Sequence, residues 1–222
     1  MTQAVDWAVS CGVDIISMSW TIQPAAQGNE DLKKLKTAID MANTANILMF
    51  CSASDQGANN KEECFPGDWN QCIRIGGATF TGEKLTWVDD KVNFWFPGRN
   101  VPFPSKDGKS VVYESGSSVA TAAASGLAGL LIYSERLLHG KVLKGRDTIF
   151  QDRNAMINAF TTMAKGADGK FPSTDVILSK LFKKKFIQQT TQRSTKNVDI
   201  DTLEWNDASK KALEALLSHI QV

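Results

Sequence analysis

The chain is poor in the side chains that staple, ligate or relay protons. Its 222 residues hold four cysteines, two histidines and two tyrosines. The Cys64-x7-Cys72 spacing is not that of a zinc site, and with only His139 and His219 to add, a structural metal cluster is not expected. Cys11 and Cys51 lie in apolar segments and read as small buried hydrophobes. Cys64 and Cys72 flank a short loop and could pair, which spacing alone leaves open. Long apolar runs are missing too. The mildest stretch, Val119 to Tyr133, is interrupted by Thr121 and Ser125 and ends at Glu135-Arg136, which reads as too short for a membrane span. No secretory leader is visible, and the chain opens inside an amphipathic helix.

Neither sign of charge dominates. The net charge is +1, with 42% hydrophobic and 22% charged residues, so nothing draws the whole molecule toward nucleic acid or a membrane. The charge is unevenly placed, however. Residues 1–138 hold 11 Lys+Arg against 15 Asp+Glu, and residues 139–222 hold 14 against 9. That shift predicts a compact part followed by a more solvated tail. The basic triplet Lys183-Lys184-Lys185 has no aromatic interleaving and no reader motif, so no nucleic-acid partner is expected.

What is present is an alternation of helix and strand. Gln3 to Cys11 puts Ala4, Val5, Ala8 and Val9 on one helical face, with Gly12 as C-cap. Val13 to Ser19 reads as a buried strand. Asn29 is an N-cap for a helix to about Ala45, with Leu32, Leu35, Ile39 and Ala42 inward. Ile47 to Ala53 is a nearly continuous apolar run, as a central parallel strand covered on both faces would be. Cys72 to Thr79, Val92 to Phe96 and Val111 to Ser115 read as further strands. Helices are predicted to Leu138, over Asn154–Ala164 and over Thr174–Phe182. After Phe186 a polar linker (QQTTQRSTKN) leads to a last helix, Asp207 to Ile220, with Leu213, Leu216, Leu217 and Ile220 on one face. The pattern predicts an α/β layered domain.

The chemistry is concentrated in Glu114 to Gly126, ESGSSVATAAASG. A strand runs into a helix of small residues with a Ser-Ser pair at the joint. Helix N-termini offer unpaired N–H groups and the positive end of the dipole, so a serine in the first turn sits where an oxyanion can be stabilised. Taken alone, Ser117 or Ser118 would read as a plain N-cap.

Gly116 to Ala120, GSSVA, resembles the G-T-S-M-A nucleophile motif of the subtilisin-like serine peptidases, and in particular of fungal subtilase-like domains. The resemblance is collinear over about 170 residues. AVDWAVSCGVDIISMS resembles the helix and strand that end in the substrate-binding segment; ILMFCSASDQG resembles the strand and turn carrying the oxyanion-hole side chain. FPGDWNQCIRIGGAT and the FPG at Phe96–Gly98 resemble the next loop and the A-P-G turn. Residues 154–182 resemble the closing helices more weakly. The resemblance implies a three-layer parallel-sheet subtilisin-like fold, incomplete for want of N-terminal strands and helices, over residues 1–185, with 186–222 as linker and tail helix.

It also implies a set of site residues. Ser118 would be the nucleophile, with Asp55 and Ser118 at the oxyanion hole. Ser17, Ser19, Trp20 and Thr21 would line one edge of the substrate cleft and pair with an extended peptide by strand addition. Ser52, Ala53 and Ser54 would form the opposite wall of the side-chain pocket, with Cys64 near its base. Phe65-Pro66 falls where the family has a cis peptide bond. No cofactor is implied, since the family's calcium sites cannot be placed on these residues, and no membrane partner is expected.

Three departures from the family bear on activity. The family's nucleophile works in chain order Asp, His, Ser, and both partners fall before the segment with which this chain opens. His139, 21 residues after Ser118 on one helix, would lie roughly 30 Å away, far from the ~3 Å that a general base needs. His219 lies near the end of the tail helix. The second departure is Asp55, where the family usually has an Asn that donates to the oxyanion; an ionised carboxylate cannot, and losing such a donor costs about 10²–10³ in turnover. The third is Ala122 in place of a proline, a harmless change in a helix.

Two readings follow. One is the C-terminal portion of a serine endopeptidase, active on peptide or protein substrates through an acyl-enzyme on Ser118 only when an upstream segment supplies Asp and His, and inactive alone. The other is a non-catalytic relative that binds extended peptides or acts as a scaffold. A nucleotide-binding reading fails, because Gly76-Gly77 opens no G-x-G-x-x-G and no Walker lysine follows a glycine loop.

Overall fold

The computed structural model describes residues 1–23, 30–57, 63–138, 148–174, 207–218 and 220. Four strands form a parallel sheet in the order β1-β2-β3-β4: β1 (Ile15–Met18), β2 (Leu48–Ser52), β3 (Ile73–Ala78) and β4 (Phe94–Pro97). Ile15 lies opposite Leu48, Phe50 opposite Ile73, and Ile75 opposite Phe94. Every residue of β2 and β3 is buried, the signature of central strands covered on both faces.

The strand period decides which side chain meets which layer. Met49 and Cys51 point to one face, where α1 (Thr2–Cys11) and α2 (Glu30–Thr44) supply Val5, Leu35, Ala38, Ile39 and Ala42. Leu48 and Phe50 point to the other, where they meet Ala120, Ala124, Ala128 and Leu131 of α3 (Ser117–Leu138) and Phe160 of α4 (Arg153–Met163). The rings of Phe50, Phe94 and Phe96 gather around Phe160 with centroids 6.1, 5.3 and 5.3 Å away. The result is the expected three-layer α/β arrangement. Gly12 ends α1 in the left-handed conformation, as expected of a C-cap, and Phe65-Pro66 is cis.

Helix α3 is 22 residues, long and apolar enough to cross a membrane by length and composition, which exceeds the estimate from sequence. Its inner stripe is packed instead on all four strands, and Ala120, Ala124 and Ala128 are completely buried. Spaced at i, i+4 and i+8, these alanines let the helix axis lie close to the sheet. The far end of α3 is anchored twice. Arg136 makes a two-pronged ion pair with Asp14 at 2.7 and 2.6 Å, and the buried Glu135 carboxylate accepts the amides of Ile149 and Phe150 in a 3₁₀ turn (Ile149–Gln151). Gln151 also donates to Asp14, and Asp152 caps α4 through the amide of Ala155.

One predicted strand has a different place. Val111 to Ser115 does not join the parallel sheet: β6 (Val111–Glu114) pairs antiparallel with β5 (Val101–Pro104) in an exposed hairpin ahead of α3. The last pairing is a short one, β7 (Ala164–Lys165) with β8 (Phe171–Pro172). At the chain's end α5 (Asp207–Ser218) packs on α3, with Leu217 and Ile220 inside the same core as Phe160. Asn29, the predicted helix over 174–182 beyond Thr174, and the linker after Phe186 lie outside the described residues, as do His139, His219 and the Lys183–Lys185 triplet.

Candidate active site

Strands β1 to β4 are parallel, so their C-terminal ends lie along one edge of the sheet, where ligands bind in open α/β folds. The N-terminus of α3 is seated on this edge by close backbone packing. Gly116 donates to the carbonyl of Gly98, and Gly98 donates to that of Ala78, both at 2.8 Å. A Cβ on Gly98 would stand 2.8 Å from the Gly116 carbonyl oxygen and 3.0 Å from the Gly77 Cα, so only glycine fits between these two backbones. Gly116 has φ +140°, which an L side chain rarely adopts.

Ser118 is exposed in the first turn of α3. Its hydroxyl donates to the carbonyl of Ser19 at 3.3 Å, and the Ser19 hydroxyl donates to the carbonyl of Ser118 at 3.2 Å. The first i→i−4 bond of the helix is that of Ala120 to Gly116, so the amides of Ser118 and Val119 stand among the N-terminal donors that a helix cannot satisfy from within. Ser118 thus joins a hydroxyl on an exposed residue to the positive end of a helix dipole.

Asp55 follows β2 and reaches the same helix terminus, but its bonds go to Ser117. The carboxylate accepts the Ser117 hydroxyl at 2.6 Å and the Ser117 amide at 3.0 and 3.3 Å. The Ser117 hydroxyl, fully buried, also accepts the amide of Gly77 at 3.3 Å. Ser117, which the resemblance assigns no role, is therefore the residue that joins Asp55 to the helix terminus. The Ser-Ser doublet was its only signal.

The other predicted site residues divide by exposure. Ser17, Ser19 and Thr21 are exposed, and Trp20 is half-buried against the α1/α2 side of the core. The segment is fixed by Ile22, which exchanges two backbone hydrogen bonds with Phe65 at 2.7 and 2.9 Å, and by Gln23, which donates to Gln56. Ser52, Ala53 and Ser54 are buried beneath the surface. Cys64 is buried as well, its amide held by Asp68 and its thiol hydrogen-bonded to Ser54. Burial pushes the Cys64 thiol up, against a smaller pull downward from the charge of Arg74 and the hydroxyl of Ser54. Cys51 is pushed up further, by burial and then by its hydrogen bond with Cys72. All four cysteines are free thiols, so Cys64 and Cys72 are not paired.

Neither histidine of the chain lies among the described residues. Helix α3 is unbroken from Ser117 to Leu138, which puts its last described turn about 30 Å from the hydroxyl. Among the described residues no group of three or more His, Cys, Asp or Glu side chains is placed to hold a metal ion.

A family model described as the subtilase family, Peptidase_S8, matches residues 1–167. An intracellular serine protease of Paenibacillus polymyxa is 29% identical over 134 residues, 58% of this chain and 39% of that protein. The major intracellular serine protease of Bacillus subtilis (strain 168) is 26% identical over 132 residues, 57% of this chain and 39% of its own length. This chain thus spans about two-fifths of the curated relatives it matches. Among solved structures, the prenylagaramide maturation protease PagA superposes with a TM-score of 0.63 at 20% identity, covering 79% of this chain and 65% of that one. The PatG macrocyclase in complex with peptide superposes with a TM-score of 0.62 at 21% identity, covering 82% and 56%. At these identities the superpositions speak for the fold.

Proposed function

The chain belongs to the subtilase family, and from that membership we propose that it carries the nucleophile, Ser118, of a serine-type endopeptidase. Serine endopeptidase is the activity at the level of the family; what is proposed is the role of this chain and of its residues. The observation that carries the reading is the exposed Ser118 on the first turn of a helix, beside amides that the helix cannot satisfy from within. The hydroxyl attacks the substrate carbonyl and passes its proton to a base; the amine leaves with a proton, and water then releases the acyl group from Ser118. The Ser118 amide steadies the oxyanion. An extended peptide lies along Ser17, Ser19, Trp20 and Thr21, with Ser52, Ala53, Ser54 and Cys64 beneath its anchoring side chain.

The base and its orienting carboxylate come, in this reading, from a segment upstream of residue 1, and residues 1–185 form the C-terminal portion of the peptidase domain with 186–222 as linker and tail helix. The edge of β1 supports this partner: among the described residues β1 is an edge strand of the parallel sheet, and Leu130 and Tyr133 of α3, which packs on it, are exposed. The two relatives named above are bacterial, and a fungal subgroup forms no part of the proposal.

The test is a fluorophosphonate probe applied to the protein, alone and expressed with the coding sequence in frame upstream of Met1, wild type beside Ser118→Ala. Labelling of the longer protein that disappears in Ser118→Ala is expected, with little or none on the chain alone. Absence of Ser118-dependent labelling in folded protein of both lengths overturns the peptidase reading. The second reading, a non-catalytic peptide binder, is favoured by the Asp55 carboxyl group, whose two oxygens both accept from Ser117. Binding of extended peptides without labelling would establish it.

A further inference from the structure

We infer that Asp55 is a positioning residue, holding the first turn of α3 through Ser117, and that this duty withdraws it from the oxyanion. The inference deepens the peptidase reading, since it concerns the turn that carries Ser118, but its test does not depend on turnover. A run of three bonds connects three parts of the chain: the Gly77 amide of β3 donates to the Ser117 hydroxyl, that hydroxyl donates to Asp55, and the Ser117 carbonyl accepts the hydroxyl of Thr121. Ser117 is 0% exposed, so its hydroxyl and amide have no water to fall back on. Both donate to the one carboxylate, which spends both oxygens on a single residue. The carboxylate also lies against the backbone at Gly116, where a Cβ would stand 3.0 Å from Oδ2.

The electrostatics favour this use. A carboxylate over the first N–H groups of a 22-residue helix is in the field that stabilises negative charge. An amide at position 55 has one acceptor oxygen, which can serve Ser117, and an NH₂ that must then face away from the Ser117 amide. The charged form caps more completely, and the amide form leaves a donor free. The two residue types thus divide between holding the helix and serving the reaction.

The experiment is site-resolved hydrogen exchange of the native chain, with Asp55→Ala, Asp55→Asn and Ser117→Ala beside wild type. In Asp55→Ala, exchange of the Ser117 amide should rise about tenfold or more, with the melting temperature falling by a few degrees. Asp55→Asn should restore most of that protection, to within about threefold of wild type, because one acceptor remains. Ser117→Ala, which removes the hydroxyl and keeps the amide, should leave the position-117 amide protected. Exchange at Ser117 unchanged within about twofold in Asp55→Ala overturns the inference, and so does a failure of Asp55→Asn to rescue it. If these exchange results hold while no variant is labelled by the fluorophosphonate probe, the peptidase reading fails and the positioning role stands. If labelling depends on Ser118 while exchange is indifferent to residue 55, the reverse is established.

Discussion

Ser19 and Ser118 each donate a hydroxyl to the other's backbone carbonyl, at 3.2 and 3.3 Å. The exchange ties the segment after β1 to the first turn of α3, so the proposed substrate edge and the proposed nucleophile are fixed relative to one another. Both residues are exposed, and water can replace either bond. Ser19→Ala should therefore change stability by less than about 1 kcal/mol in a urea titration. A larger loss would mean that the pair holds the fold and not merely the local geometry.

The glycine seat beneath α3 predicts opposite outcomes for two glycine-to-alanine changes. Gly98→Ala drives a Cβ to 2.8 Å from the Gly116 carbonyl oxygen, a backbone atom that cannot step aside. A loss of about 1–3 kcal/mol is expected, by denaturant titration, together with displacement of the turn that carries Ser118. Gly126, on the exposed side of the same helix, has nothing within 4 Å of its would-be Cβ. Gly126→Ala should stabilise by roughly 0.5–1 kcal/mol.

Arg74 lies within β3 with a side chain only 3% exposed, between Asp68 at 2.5 Å and Asp89 at 2.8 Å. Arg74→Met leaves two carboxylates facing each other with no cation between them. Removal of one partner from such a buried set costs about 3–5 kcal/mol, so the variant should unfold at markedly lower denaturant. A neutral outcome would mean that water reaches the cluster freely.

The Asp168 carboxyl sets a pH dependence whose sign can be worked out. Burial pushes it up, but the Lys170 amide, the Lys84 ammonium and the Trp95 indole outweigh that, and it is held below the usual carboxylate range. A lowered folded value contributes stability above the unfolded value, near 3.9, and loses it as pH falls through the folded value. The stability gap between wild type and Asp168→Asn should hold steady from pH 7 to 5 and close below about pH 4. Thermal melts across that range check it; a gap that grows on acidification contradicts it.

Thiol chemistry gives the simplest check on the core. Cys51, Cys64 and Cys72 are at most 2% exposed, and burial raises the thiols of Cys51 and Cys64, lowering their thiolate fraction. Cys11 is exposed. Iodoacetamide at pH 8 should modify Cys11 alone in the native protein and all four cysteines after denaturation, as read by mass spectrometry. Early modification of Cys64 would place it in open solvent.

Much of the architecture was legible because the sheet is parallel and buried. ILMFCSA and the small-residue face of ATAAASG can hardly be anything but a central strand and a close-packed helix. The hairpin was half legible. Val111–Glu114 showed its strand character, but the partner, Val101–Pro104, has proline at alternate positions, which hides a strand whose outward edge needs no donor there. The partners of Arg74 could not be read from the strand that carries it, because its two acids are in loops that only folding brings near. The motif put Ser118 on the first turn of a helix. What it could not give was the direction of the Asp55 carboxylate, which is decided by Ser117, 62 positions away in the chain and adjacent in space.

Helix α3 carries Ser118 at one end and Glu135 at the other, and Glu135 grips the amides of Ile149 and Phe150. The same helix is pinned at its other end by Gly98, Gly77 and Asp55, roughly 26 Å from Glu135, and lies on the sheet between the two anchors. Loss of the far anchor should therefore loosen the tail of the helix and leave the Ser118 turn in its place.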